Sequence, residues 1–97
     1  MMREFLALAL CVVSLTMAQA ASSEPPPGAA ACTGCHPANA DVDTPVPRLA
    51  GRNAADIVAA MQAFRSGQKP ATVMDRIAKG FTIEETQAIA DWYGAQL

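Results

Sequence analysis

Histidine is nearly absent from this chain: among 97 residues there is one, His36. A metal centre held by two histidines of the same chain is therefore excluded. Cysteine is scarce too, with Cys11, Cys32 and Cys35 the full set, and aromatic residues make up only 5% of the sequence. Large side chains for a core are correspondingly few. Charged residues are 16% of the chain and the formal net charge is −2, with no basic run. That balance argues against a nucleic-acid partner. No segment alternates polar and apolar residues for long enough to make a strand. What is left is a short, alanine-rich, helical chain with room for one domain.

The N-terminus reads as a targeting segment. Arg3 is followed by an apolar run from Phe5 to Met17, which closes on Ala18-Gln19-Ala20. This is the layout of a secretory signal peptide, and the run is shorter than the roughly 20 residues a membrane span needs. The expected division is a signal peptide at 1–20, a Pro- and Ala-rich lead-in at 21–31, and a functional domain at 32–97. Cleavage after Ala20 places the product outside the cytoplasm, in the periplasm, with no membrane span; an uncleaved anchor is the alternative. Cys11 leaves with the signal, so the mature chain keeps Cys32 and Cys35 as its cysteines and Met61 and Met74 as its methionines. A disulfide between Cys32 and Cys35 closes too small a loop to restrain much of the unfolded chain. A domain this small needs some larger staple.

Past the three prolines Pro25–Pro27, a short helix is expected over Ala29 to His36, and residues 37–52 read as loop. Asn53 is placed to cap a helix that carries Ile57, Met61 and Phe64 on one stripe and stops at Gly67. A shorter helix runs from Val73 to Gly80, with Met74, Ile77, Ala78 and Phe81 at apolar spacing. Thr82 and Glu85 form a capping box for a last helix, in which Ile89, Trp92 and Tyr93 share a face with Leu97 a turn further on. The expected architecture is all-α, with three or four helices.

The chemistry concentrates in Ala31-Cys32-Thr33-Gly34-Cys35-His36-Pro37. A structural zinc site needs four ligands, and the mature chain offers three Cys or His side chains within five residues. A thioredoxin-like dithiol belongs beside a βαβ pattern, which is missing here. Cys-x-x-Cys-His is also the attachment motif of c-type haem. Two thiols reach the two vinyl groups of one porphyrin, and the next residue sets an imidazole under the iron. This reading accounts for all three residues and supplies the staple. On it, the chain is expected to be largely unfolded without its haem, by the coupling that ties metal binding to folding.

With His36 on one side of the iron, the other axial position falls to a methionine, a lysine or an open site. Met61 sits on the stripe of a regular helix and reads as core. Met74 follows the break at Pro70, where a loop can turn a side chain toward iron, although its apolar spacing also allows a core role. Met74 is the preferred sixth ligand; a Met/His pair suits electron transfer. The Pro47 carbonyl is placed to accept the other His36 N–H, and Leu49 to pack on the porphyrin.

By these features the chain resembles a small class I c-type cytochrome: "CTGCH", "PRLAG" and the methionine segment come in that family's order over about residues 31–97. A sharper likeness lies in "FRSGQKPATVMDRIAKGFTIEETQAIADWY", which is similar to a stretch of the cytochrome subunits of flavocytochrome c sulfide dehydrogenases. The resemblance implies a class I fold wrapped around one covalent haem c, with Met74 as axial ligand. It also implies that the final aromatic helix crosses the N-terminal one. It implies a partner, an FAD-containing subunit that oxidises sulfide, with this chain as its non-catalytic electron-transfer subunit. The alternative is a free monohaem cytochrome shuttling electrons between other redox proteins, such as a terminal oxidase or reductase. Arg76 and Lys79, beside Met74, are candidates for a docking surface or for a solvated helix face.

Overall fold

The computed structural model describes residues 24–96. The expected signal peptide, the start of the lead-in and Leu97 lie outside the described residues. Four helices follow one another: α1 (Ala29–Cys32), α2 (Ala54–Ser66), α3 (Met74–Lys79) and α4 (Ile83–Gly94). Among the described residues there is no strand, so the all-α expectation holds. No helix among them is long and apolar enough to cross a membrane.

The termini of the long helices follow from their sequences. Asn53 accepts hydrogen bonds from the backbone N–H groups of Ala55 (2.9 Å) and Asp56 (3.3 Å). At the other end of α2, Gly67 takes a left-handed conformation and closes the helix. The capping box of α4 is complete: Thr82 accepts from the Glu85 N–H at 3.1 Å, and the Glu85 carboxylate accepts from the Thr82 N–H at 3.0 Å. Such caps stabilise a helix by about 1 kcal/mol each.

The first helix is shorter than its sequence suggests. It ends at Cys32, not His36, and the chain passes into tighter turns. Thr33, Gly34 and Cys35 donate to carbonyls three residues back, at 3.2 to 3.3 Å, before His36 returns to the Cys32 carbonyl at 2.8 Å. Three residues cause this. The Thr33 hydroxyl donates to the Ala30 carbonyl at 2.7 Å, Gly34 is a poor helix former, and Pro37 steers His36 away from helical backbone. Four residues cannot hold a helix by themselves, so α1 depends on what it touches.

It touches α4. Ala29 and Ala90 are both 0% exposed and share one cluster with Ile57, Ile89 and Tyr93. Burying Ile57 and Ile89 contributes roughly 1.5–3 kcal/mol each. Entry into α1 is equally tight. Gly28 has φ +88°, and a Cβ there would meet the Phe81 ring at 2.6 Å, so only glycine fits. α2 packs on both α3 and α4, and Arg65 ties the end of α2 to the α3–α4 turn by donating to the Phe81 carbonyl at 2.6 Å.

The apolar stripes are partly as expected. Ile57 is buried, and Met61 packs against the cluster. On α3 the stripe breaks: Ala78 is buried, but Ile77 is 38% exposed and Met74 half-buried. A six-residue helix turns too little of itself toward α2 to bury the whole row.

A hydrogen bond completes the α1–α4 contact. The Tyr93 hydroxyl donates to the Ala29 carbonyl at 2.5 Å. Burial, with the Cys32 thiol against it, pushes the Tyr93 phenol up to about 12 from its ordinary 10.0. The raised value means that the neutral phenol stabilises the fold fully below pH 10, and that this contribution is lost as pH rises from 10 toward 12. Tyr93→Phe leaves the Ala29 carbonyl without this donor. It is expected to cost about 1–3 kcal/mol in urea unfolding at neutral pH and to flatten the fall in stability above pH 10 relative to wild type.

Candidate functional site

The turn after α1 sets the three residues of the Cys-x-x-Cys-His motif in different surroundings. Cys32, the last residue of α1, is half-buried, with its sulfur 3.7 Å from the Gly28 carbonyl. Cys35 is exposed, and both thiols are free. Burial pushes the Cys32 thiol up, an effect moderated by the neighbouring Tyr93 hydroxyl. A redox-active dithiol needs the opposite, a cysteine whose pKa is lowered.

His36 is half-buried, and its Nδ1 lies 2.5 Å from the Pro47 carbonyl oxygen. A carbonyl can only accept, so Nδ1 carries a proton, and in the neutral ring Nε2 is then the nitrogen with the lone pair. That leaves the ring oriented, in the tautomer a metal ligand requires. Pro47 itself is exposed. The loop that carries it is fixed from α4: the Gly51 N–H donates to the Tyr93 carbonyl at 2.9 Å. Close by, a Cβ on Gly94 would stand 3.1 Å from the Arg52 carbonyl, so a bare backbone lets helix and loop meet. Leu49 is half-buried and packs against the α1–α2–α4 cluster.

Thus the fold brings Cys32, His36, Pro47 and Leu49 together where α1, the loop and the end of α4 meet. Met74 belongs to a different element. It is the first residue of α3, half-buried, and takes no part in that cluster, whereas Met61 packs against it. Val73 and Ile77, one helical turn apart beside it, are 48% and 38% exposed.

Two site features were not anticipated from sequence. A cavity of about 200 Å³ lies beside His36, lined also by Pro37, Arg48, Leu49, Trp92 and Tyr93. Arg48 Nε and Trp92 Nε1 are buried without an acceptor among the described residues. Position next to Pro47 was the one available signal for Arg48; nothing in the order of residues places Trp92 near it.

The donor set discriminates between chemistries. Among the described residues, no three His, Cys, Asp or Glu side chains converge on a point that could hold a bare metal ion. Two separated free thiols and one oriented imidazole instead fit a group that brings its own equatorial ligands to the metal, as a porphyrin does.

Comparison with known proteins points the same way. No known family profile matches the sequence. The chain is 36% identical over 63 residues, 65% of its own length, to the cytochrome subunit of sulfide dehydrogenase of Chlorobaculum tepidum. It is 37% identical over 73 residues, 71% of its length, to the thiosulfate dehydrogenase electron acceptor of Thiomonas intermedia. These stretches span 57% and 34% of the two relatives. In sequence and in its helical architecture, then, this chain is similar to cytochrome subunits, proteins whose kind implies a haem and electron transfer, not catalysis.

Proposed function

We propose that this chain is an exported, single-haem c-type cytochrome that accepts electrons from a flavin-containing sulfide dehydrogenase subunit. The observation that carries this reading is the Cys32–Cys35–His36 turn, with both thiols free and the imidazole held by Pro47 with Nε2 available. Cys32 and Cys35 each add S–H across a vinyl group: a C–S bond forms, the hydrogen goes to the neighbouring carbon, and no oxidant is consumed. His36 supplies one axial ligand. The haem so held supplies one-electron chemistry.

Met74 is the proposed second axial ligand. Of the two methionines in the domain, Met61 packs on the core and Met74 does not. Leu49 packs beside the His36 cavity and is proposed to wall the porphyrin from water. The chain's own buried core supports a prosthetic group as staple: among the described residues its hydrophobic members are Ala29, Ile57, Ala78, Ile89, Ala90 and Tyr93, three of them alanines.

The names of the two relatives support the role of electron acceptor for a dehydrogenase, and the sulfide enzyme is the better guide because more of that relative is matched. Val73 and Ile77 favour a bound subunit over a free shuttle, because they put exposed apolar surface next to Met74. Arg76 and Lys79, exposed on the same short helix, are proposed as its charged rim. The signal-like residues 1–20 support a periplasmic location, where such haem attachment takes place in bacteria.

Two outcomes are expected. Met74→Ala leaves the haem attached but removes the near-red sulfur–iron band and opens the iron to carbon monoxide; Met61→Leu keeps both properties and costs under about 1.5 kcal/mol of stability. Mixed with a flavoprotein sulfide dehydrogenase and sulfide, the oxidised cytochrome is reduced within the enzyme's turnover time and co-elutes with the flavoprotein at moderate salt. Reduction without co-elution supports a free shuttle, and no reduction removes sulfide dehydrogenase as the donor.

A further inference from the structure

The cavity beside His36 contains a cation that the proposed chemistry has not used. Arg48 follows Pro47, whose carbonyl receives the His36 N–H, and its half-buried side chain lines the same cavity as His36. Its Nε is buried with no acceptor, and no ion pair to it is formed among the described residues. Trp92 also lines the cavity, and its Nε1 is a second buried donor without an acceptor among the described residues. Among the described residues, no side chain lining this cavity is a carboxylate.

We propose that Arg48 sets the reduction potential of the centre on His36: its positive charge, held in the cavity beside the axial imidazole, disfavours the oxidised state and makes the protein a better electron acceptor. This rests on the haem reading above. The physical cause is Coulombic. The oxidised centre carries one more positive charge than the reduced one, and a cation held partly out of water is weakly screened. A guanidinium keeps that charge at every physiological pH. Arg48 also acts through the histidine. A cation next to the Pro47 peptide withdraws electron density from the carbonyl that accepts the His36 proton, which leaves the imidazole a weaker donor to iron. Both effects have the same sign. Arg48 touches no reacting atom, so it is a positioning and tuning residue.

The test is a redox titration of the matured protein followed by absorbance. Arg48→Met and Arg48→Gln are expected to lower the midpoint potential, with the near-red band retained. Arg48→Lys, which keeps the charge, is expected to stay near wild type. Arg52→Met removes one charge from an exposed residue and is expected to shift the potential less. An unchanged potential in both Arg48→Met and Arg48→Gln would overturn the proposal, as would an equal shift in Arg52→Met. If wild-type protein carries no haem, the functional reading itself fails, an outcome visible before any variant is titrated.

Discussion

The contact between α1 and α4 is the constraint on which the site depends. A four-residue helix has no stability of its own, and this one begins at a glycine that only a bare backbone can fill, against the Phe81 ring. It stays in place because Ala29 is buried in one cluster with Ile57, Ile89, Ala90 and Tyr93 and because the Tyr93 hydroxyl donates to the Ala29 carbonyl. The cysteines and the histidine follow directly from it. α4 therefore positions a site to which it contributes none of the proposed ligands. The same helix end, through the Tyr93 carbonyl, anchors the loop at Gly51 and so brings Pro47 to His36.

This arrangement divides the labour between two parts of the chain. His36 is oriented by backbone: the carbonyl of Pro47 fixes its tautomer, and no flexible side chain is needed. Met74 heads a short helix that has no side-chain cap at its N-terminus. An oriented imidazole, with the thioether proposed opposite it, suits electron transfer. Arg48, which lines the same cavity as His36 with its Nε buried and without an acceptor among the described residues, is proposed to add a fixed field to this geometry.

Much of this was legible in the sequence, for identifiable reasons. Local signals were reliable: the Asn53 cap, the Thr82–Glu85 box and the Gly67 stop each depend on atoms within a few residues. The length of α1 was misread, because the competing turn preferences of Thr33, Gly34 and Pro37 outweigh the helix propensity of the alanines before them. The exposure of Ile77 was not legible, because apolar spacing says which face it lies on but not whether a six-residue helix has a neighbour on that side. The Tyr93–Ala29 bond and the Arg48–Trp92 cavity were invisible, because they join residues far apart in the chain, and no spacing rule reports such contacts.

The central claim is that Cys32 and Cys35 bind one haem covalently with His36 beneath its iron. The most direct measurement is the mass and alkaline pyridine spectrum of protein secreted by a cell able to mature c-type cytochromes. The account predicts a chain heavier by one haem, resistant to acid extraction, with the spectrum of two saturated vinyl groups. A folded, colourless chain of unmodified mass, with both thiols open to alkylation, would contradict it.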